Sequence, residues 1–490
     1  MTQVRRFFGL DRVRRTAKVL EARVNGLAKG GLALGGLALG MVALKRALNP
    51  APRYAPWEKP PYGEFENKVL VVGGGFGGYT AAKDLCKLVD HRDDVGVLVI
   101  ARDNFFTFWP MVPGIVSSDI DARNVAQPLR RALITAGASF RRAELRSVDY
   151  ERKVVVADGG LEFPYDHLII SLGGQPNFFG IPGVEEHSLT MRGVEDAERI
   201  RNKVIERFEE VSLIRGDVPE SKLTFVVIGG GATGVETASE IHSLVHESLA
   251  PDYPNIDPHR VRIFLLEGLP NILQELDPAL RKAARTRLVN ERIDVKTNAM
   301  AEEITENCVR LRGGEKISTE NVIWTAGNRP NQTITDLGLP YDERTGIKVG
   351  LDLRVEGHEN VWAIGDCASV ADKRQEDGKL VPPTAQAAIQ QGHVVARNVI
   401  KTIDGEPGLE EFEYRPLGQL VELGSDFAVN EVMGVRFTGL IAALFWRMAY
   451  LVRLNSPQSK ARIAADWVLG AVLKPAVTQT RSTDSNQPSA

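Results

Sequence analysis

The 490-residue chain reads as an α/β protein with two Rossmann-like dinucleotide-binding domains and a C-terminal membrane-associating helical region. Three observations predict this. At 68–78, KVLVVGGGFGG sets a short β-rich run directly before Gly73, Gly75, Phe76, Gly77 and Gly78, with helix-compatible sequence from 80 to 88. At 226–234, VVIGGGATG repeats the pattern with Gly229, Gly231 and Gly234. Near the C-terminus, 438–454 and 459–473 are apolar stretches that carry Trp, Tyr and Arg.

The glycine spacing has a mechanical reason. In G-x-G-x-x-G the first glycine makes the tight turn, the second admits a pyrophosphate, and the third lets helix pack on strand. The phosphates then lie on free N–H groups at the positive end of a helix. One such loop is a weak signal. Two in one chain point to two dinucleotides held together.

Composition narrows the class. A formal net charge of −3 gives no global field that would recruit nucleic acid. The three cysteines, Cys86, Cys308 and Cys367, are far apart, with no C-x-x-C. That fits a reducing compartment and argues against a local dithiol relay. No metal site is expected.

The chain divides into an N-terminal extension and Pro-rich linker (1–66), a first dinucleotide domain in two parts (67–199 and 330–404), and a second between them (200–329). Strands and amphipathic helices follow at 405–477, then a disordered tail at 478–490. The extension is basic and amphipathic over 1–23, then uncharged over 30–44. That run is short against the roughly 17–25 residues of a spanning helix, so a re-entrant or transmembrane anchor is the expectation. The catalytic domains are expected at the membrane, facing the cytoplasm.

In the first domain, the strand at 95–100 should end in an acid that binds a ribose. The position holds Ala101, followed by Arg102 and Asp103, which makes Asp103 the candidate. The aromatic stretch 105–113, with Pro110, reads as a wall against a flat ring. A buried strand ends at Gly173 and Gly174, where backbone approaches a ligand closely.

In the second domain, the strand from 261 ends in Glu267, where the fingerprint wants its acid. A carboxylate accepts from both ribose hydroxyls and repels a 2′-phosphate, which favours NADH over NADPH. Glu236 stands on the first turn of the helix, either as a dipole cap or facing the nicotinamide. Further turns end at Gly327 and at Gly365 with Asp366. Pro382, Pro383 and Thr384 start a helix at Ala385, which carries Gln386 and Gln390 on one face. In 459–473, Ile463, Ala464, Trp467 and Val468 form one stripe, opposite Ser459, Arg462 and Asp466.

Over roughly 67–473 the chain resembles the type II (single-subunit, non-proton-pumping) NADH:quinone oxidoreductases, within the two-dinucleotide-binding-domain flavoproteins. NFFGIPGV at 177–184, VIWTAG at 322–327, AQAAIQQG at 385–392 and FTGLIAALFW from 437 carry the resemblance. It implies FAD on the first glycine loop with Asp366, and NADH on the second. It implies Gln386 and Gln390 as the glutamines of a quinone site, and Glu236 near the contact of nicotinamide and flavin. A membrane quinone and the bilayer surface are the implied partners, with a homodimer interface as the other use of the apolar tail. The alternatives on this fold are a sulfide:quinone oxidoreductase, which needs paired redox cysteines, and another NADH-dependent flavin reductase.

Glu267→Ala is expected to erode the preference for NADH over NADPH, measured as the ratio of kcat/KM values. An unchanged ratio would reject the ribose role.

Overall fold

The computed structural model describes residues 60–375, 378–470 and 477–479, together with residue 45. The expected anchor at 30–44 and the tail from 480 onward lie outside the described residues. Among the described residues, no helix is long and apolar enough to cross a membrane.

Two parallel sheets organise the chain, each with five strands. The first runs in the order Val361–Ala363, His167–Ile170, Asn67–Val72, Val95–Ala101, Ser139–Arg142. The second runs Ser188–Thr190, Asn321–Trp324, Thr224–Ile228, Arg262–Glu267, Ile293–Thr297. Strands covered on both faces need unbroken apolar sequence, and VLVV, VGVLVIA and TFVVI supply it. In each sheet a glycine-loop strand lies at the centre. The chain leaves it to one side and returns on the other, so both loops open at a topological switch point.

The helices used below are α1 (Phe76–Leu88), α2 (Val194–Ser212), α3 (Ala232–Ser243), α4 (Ala385–Ile403), α5 (Leu440–Arg453) and α6 (Pro457–Gly470). Thr384 caps α4, its hydroxyl accepting from the Ala387 N–H at 3.2 Å. Helix α4 lies so close to α1 that a Cβ on Gly392 would stand 2.8 Å from the Gly77 carbonyl oxygen. His393 and Asp84 hydrogen-bond across the same pair. This packing returns the late segment of the chain to the first sheet.

The expected domain boundary at 199/200 falls inside α2. The Ser188–Thr190 strand already pairs with Asn321–Trp324, so the chain enters the second sheet before α2 begins. The outgoing and returning crossovers are zipped together where Gly174–Pro176 pairs antiparallel with Asn328–Pro330.

After α4 the chain forms an antiparallel meander, Gly418–Glu422, Ala428–Val432 and Val435–Gly439, and then α5 and α6. Helix α5 buries Ala442, Ala443 and Trp446 and leaves Leu440, Ile441, Leu444 and Met448 exposed. Helix α6 differs from the expected two-faced pattern. Ile463 is buried, but so is Ser459, while Val468 and Leu469 face outward. Polar contacts set this orientation. Asp466 accepts from the buried Asn124 amide at 3.0 Å, and Trp467 lies under the Arg447 guanidinium at 5.4 Å.

Trp446 is 2 % exposed and meets the Tyr450 ring edge-on at 4.8 Å. Trp446→Ala is expected to cost about 3–5 kcal/mol in chemical denaturation, through loss of a buried aromatic. A loss below about 1 kcal/mol would show that α5 is not anchored there.

Candidate functional site

The two glycine loops repeat each other. Gly73 (φ 112°) and Gly229 (φ 118°) take a left-handed turn that side chains resist. Their N–H groups donate to Ile100 and Leu266 carbonyls, each at 2.8 Å. A Cβ on Gly78 would stand 2.1 Å from the Gly73 carbonyl oxygen, and one on Gly234 1.8 Å from that of Gly229. Gly75 and Gly231 are the N-caps of α1 and α3, with no capping side chain and open space on the Cβ side. Those uncapped N–H groups and that empty cradle fit the phosphates of a dinucleotide.

The loops differ at one place. Val72 pairs with Ile100, and Ile228 with Leu266, so Ala101 and Glu267 are equivalent positions. The Glu267 carboxylate accepts from the Gly230 and Leu269 N–H groups, at 2.7 and 2.8 Å. At the equivalent place in the first loop there is an apolar plug. A Cβ on Gly74 would stand 2.5 Å from Leu129 Cδ1 and 3.2 Å from Ala101 Cβ. Asp103 sits on the rim, paired with Arg102 at 3.3 Å.

The crossovers close the first site from the other side. Gly365 (φ 76°) donates its N–H to Gln391 Oε1 at 2.6 Å. Asp366 accepts from Asn328 Nδ2 at 2.8 Å, and Arg192 donates to the Gly327 carbonyl and Asn328 Oδ1 at 3.0 and 2.9 Å. Burial pushes the Asp366 carboxyl up and the Arg192 guanidinium down. Next to them is a cavity of about 110 Å³, lined by Asn328, Asp366, Thr384, Ala387 and Gln391 among others. Gly173 (φ 70°) has open space around it, and Phe179 covers Gly327. A larger cavity of about 280 Å³ opens between α2 and the second sheet, at the strand starts Ser188, Phe225 and Asn321, away from the glycine loops.

The stretch 105–113 is mostly packed rather than an open wall. Phe106 and Phe108 are buried, with Phe76 4.8 Å from Phe106 and Tyr450 5.9 Å from Phe108. Pro110 lies in the short turn Trp109–Met111, whose Trp109 reaches solvent.

Gln386 and Gln390 share one face of α4, and both amides grip backbone. Gln386 donates to the Gly418 carbonyl at 2.7 Å and accepts from Leu417 N–H at 3.1 Å. Gln390 does the same with Arg415, at 2.9 and 3.0 Å. Two long-range clamps therefore hold the start of the meander to α4. Each Nε2 keeps one further N–H.

Glu236 does not cap α3. It is 8 % exposed and accepts from the Glu422 N–H at 3.2 Å. Burial raises the Glu236 and Glu240 carboxyls well above their usual range and lifts Glu422 to about 8. Arg447 donates to Glu422 at 3.3 Å. Sequence reasoning missed Gln391, Asn328, Arg192, Glu240, Glu422 and Arg447. Two signals were present. Glu240 falls one turn after Glu236 in an apolar helix, and Arg447 is an isolated charge in LIAALFWRMAYLV.

The cysteines are separate. Cys86, Cys308 and Cys367 form no disulfide. Burial pushes the Cys367 thiol up to about 11, and it donates to the Ile364 carbonyl at 3.3 Å. A thiol so buried is a poor nucleophile.

Residues 67–392 match the model of the pyridine nucleotide-disulphide oxidoreductases. The chain belongs to that family. It is 31 % identical over 411 residues to a probable NADH dehydrogenase of Dictyostelium discoideum, covering 82 % of this chain and 88 % of that one. It is 28 % identical over 436 residues to a type II NADH:quinone oxidoreductase of Mycobacterium tuberculosis, covering 86 % and 90 %. In fold it is similar to NDH2 of Plasmodium falciparum solved with NADH, with a TM-score of 0.76 at 21 % identity, over 84 % of this chain and 100 % of that one. These relatives set the chain in the type II NADH dehydrogenase branch.

A carboxyl raised by folding keeps its proton where the unfolded chain has lost it. Its contribution to stability is complete below the ordinary value of 4.5 and lost as pH rises through about 8 for Glu422. Thermal stability should therefore fall across that window, and Glu422→Gln should flatten the fall. An unchanged slope of Tm against pH would contradict the placement of Glu422 in a buried, proton-holding site.

Proposed function

We propose that the chain oxidises NADH on the second glycine loop, with FAD on the first, and delivers the electron pair to a membrane quinone. The observation that carries this is the pair of matching loops, with Glu267 in one, joined by the Asp366–Asn328–Arg192 contacts and followed by an exposed apolar helix. FAD, when bound, accepts a hydride equivalent and releases electrons to an acceptor.

The protein's own contribution is positioning. Gly75 leaves room for the FAD pyrophosphate, the close approaches at Gly73, Gly77 and Gly78 set the turn and the packing of α1 behind it, and the α1 N-terminus offers its N–H groups. Gln391 fixes the Gly365 turn, which puts Asp366 at the cavity, where its oxygens would accept from hydroxyls of the bound cofactor. Gly229, Gly231 and Gly234 do the same for NADH, and Glu267 takes its ribose. Asp103 is the ribose group proposed on the FAD side. Buried Glu236, beyond the second loop, is held for proton exchange near the nicotinamide. Gln386 and Gln390 keep the α4–meander seam closed, and their remaining N–H groups are the donors proposed for quinone carbonyls.

Helix α5 supplies the membrane contact. Leu440, Ile441, Leu444 and Met448 recur at three- and four-residue spacing and are 54 % to 75 % exposed. Such a stripe fits the interfacial region of a bilayer, with Arg453 at its end. The lack of a cysteine pair disfavours the sulfide and disulfide alternatives.

Steady-state oxidation of NADH by a short-chain quinone tests the activity: turnover well above free flavin is expected, and none would overturn the proposal. The double change Ile441→Glu with Leu444→Glu should abolish flotation with lipid vesicles and leave reduction of a water-soluble quinone intact. Undiminished flotation would reject α5 as the membrane contact.

A further inference from the structure

NADH oxidation by a quinone takes up one proton per turnover: NADH, H⁺ and quinone give NAD⁺ and quinol. The inference here rests on that reading and concerns the route of the proton.

Glu240 stands one helical turn beyond Glu236 on α3, on the same face. It is 5 % exposed, and its Oε2 is buried with no hydrogen-bond partner. An unpartnered oxygen at that depth is costly unless the carboxyl holds a proton or exchanges one. Asp119, Glu422 and Glu236 all act on Glu240 electrostatically, and Ser117 faces it from the same turn as Asp119. The cation that faces Asp119 and Glu422 is Arg447. Tyr450, with Arg453 beside it, closes the side of Glu236 and Glu422. Glu247 acts on Asp119 from the surface, flanked by Arg287 and Asp426. Among the described residues, no group of acids, histidines or cysteines is arranged to hold a metal ion.

The four carboxyls of Asp119, Glu236, Glu240 and Glu422 against the Arg447 guanidinium would leave a net charge of −3 if all were ionised. The cluster therefore holds protons and titrates as a unit. Exposure falls along it, from exposed Glu247 through half-buried Asp119 to buried Glu240 and Glu236.

We propose that Glu247, Asp119, Glu240 and Glu236 form a proton path from the protein surface to the second glycine loop, with Glu240 as its internal station and Arg447 as its charge balance. At each step one carboxyl O–H breaks and an O–H forms on the next carboxylate, directly or through water. No electron moves along the path: the proton enters from solvent at Glu247 and leaves Glu236 for the quinone. The quinone takes up two electrons and two protons, the other proton being the hydrogen that left NADH as hydride. Oε2 of Glu240, free of other partners, is the acceptor position.

The test uses the FAD-loaded protein and Glu240→Gln, which keeps the shape and removes the titration. Anaerobic mixing with NADH in weak buffer follows flavin bleaching, and a second mixing with a short-chain quinone and a pH indicator follows recolouring and proton uptake together. In the unchanged protein, uptake keeps pace with recolouring. In Glu240→Gln, bleaching is expected to keep its rate while uptake slows roughly tenfold, and the pH profile of quinone reduction shifts. Glu240→Asp, which keeps a titratable oxygen, should restore most of the uptake rate. Independently, infrared difference spectra between acidic and alkaline buffer should lose a protonated-carboxyl band in Glu240→Gln. Uptake at the normal rate, or an unchanged carboxyl band, would overturn the proposal. Failure of the quinone reductase reading shows separately, as absence of bleaching by NADH in the unchanged protein, and the infrared comparison still decides the role of Glu240.

Discussion

The contact between the third glycine of each loop and the carbonyl of the first governs this structure. At Gly78 and Gly234 a Cβ would stand 2.1 and 1.8 Å from that oxygen, far inside van der Waals contact. Only this approach lets a helix begin directly behind the strand, with its free N–H groups over the carboxyl end of the sheet. The same economy of space recurs where Gly392 of α4 meets the Gly77 carbonyl. That crossing ties a segment more than 300 residues downstream to the first loop, and with it Gln391, Gly365 and Asp366.

The interior beyond the second loop follows a different logic. A protein built for stability alone would not bury Glu236, Glu240 and Glu422 around one arginine. Apolar residues of similar size would pack there without the cost of buried charge. The acids lie where α3, the turn at Asp119, the meander and α5 converge, next to the proposed meeting place of donor and acceptor. A site that handles protons has a reason to accept that cost.

Much of the fold was legible in the sequence because its signals are local. The glycine loops, the strand ending in Glu267 and the Thr384 cap each lie within a few residues of what they determine. The site was less legible wherever a partner is distant in the chain. Gln386 and Gln390 read correctly as one face of a helix, but that face grips backbone at 415–418, which no spacing rule announces. The missing acid at Ala101 was visible, whereas the Leu129 side chain that fills its place was not. In α6 neither the apolar stripe nor the polar face read from the sequence coincides with the docked face, because Asn124 and Arg447 supply polar partners from elsewhere. The acid cluster was hidden for the same reason: its members come from four separate segments.

The central claim is that two dinucleotides are held together so that electrons pass from NADH through FAD to a quinone. Anaerobic mixing of the FAD-loaded protein with NADH, followed by quinone, tests it most directly. The account predicts that NADH bleaches the flavin absorbance and that quinone restores it, while a disulfide in place of quinone does not, and sulfide in place of NADH leaves the flavin oxidised. Flavin that NADH leaves unbleached, or that quinone leaves bleached, would contradict it.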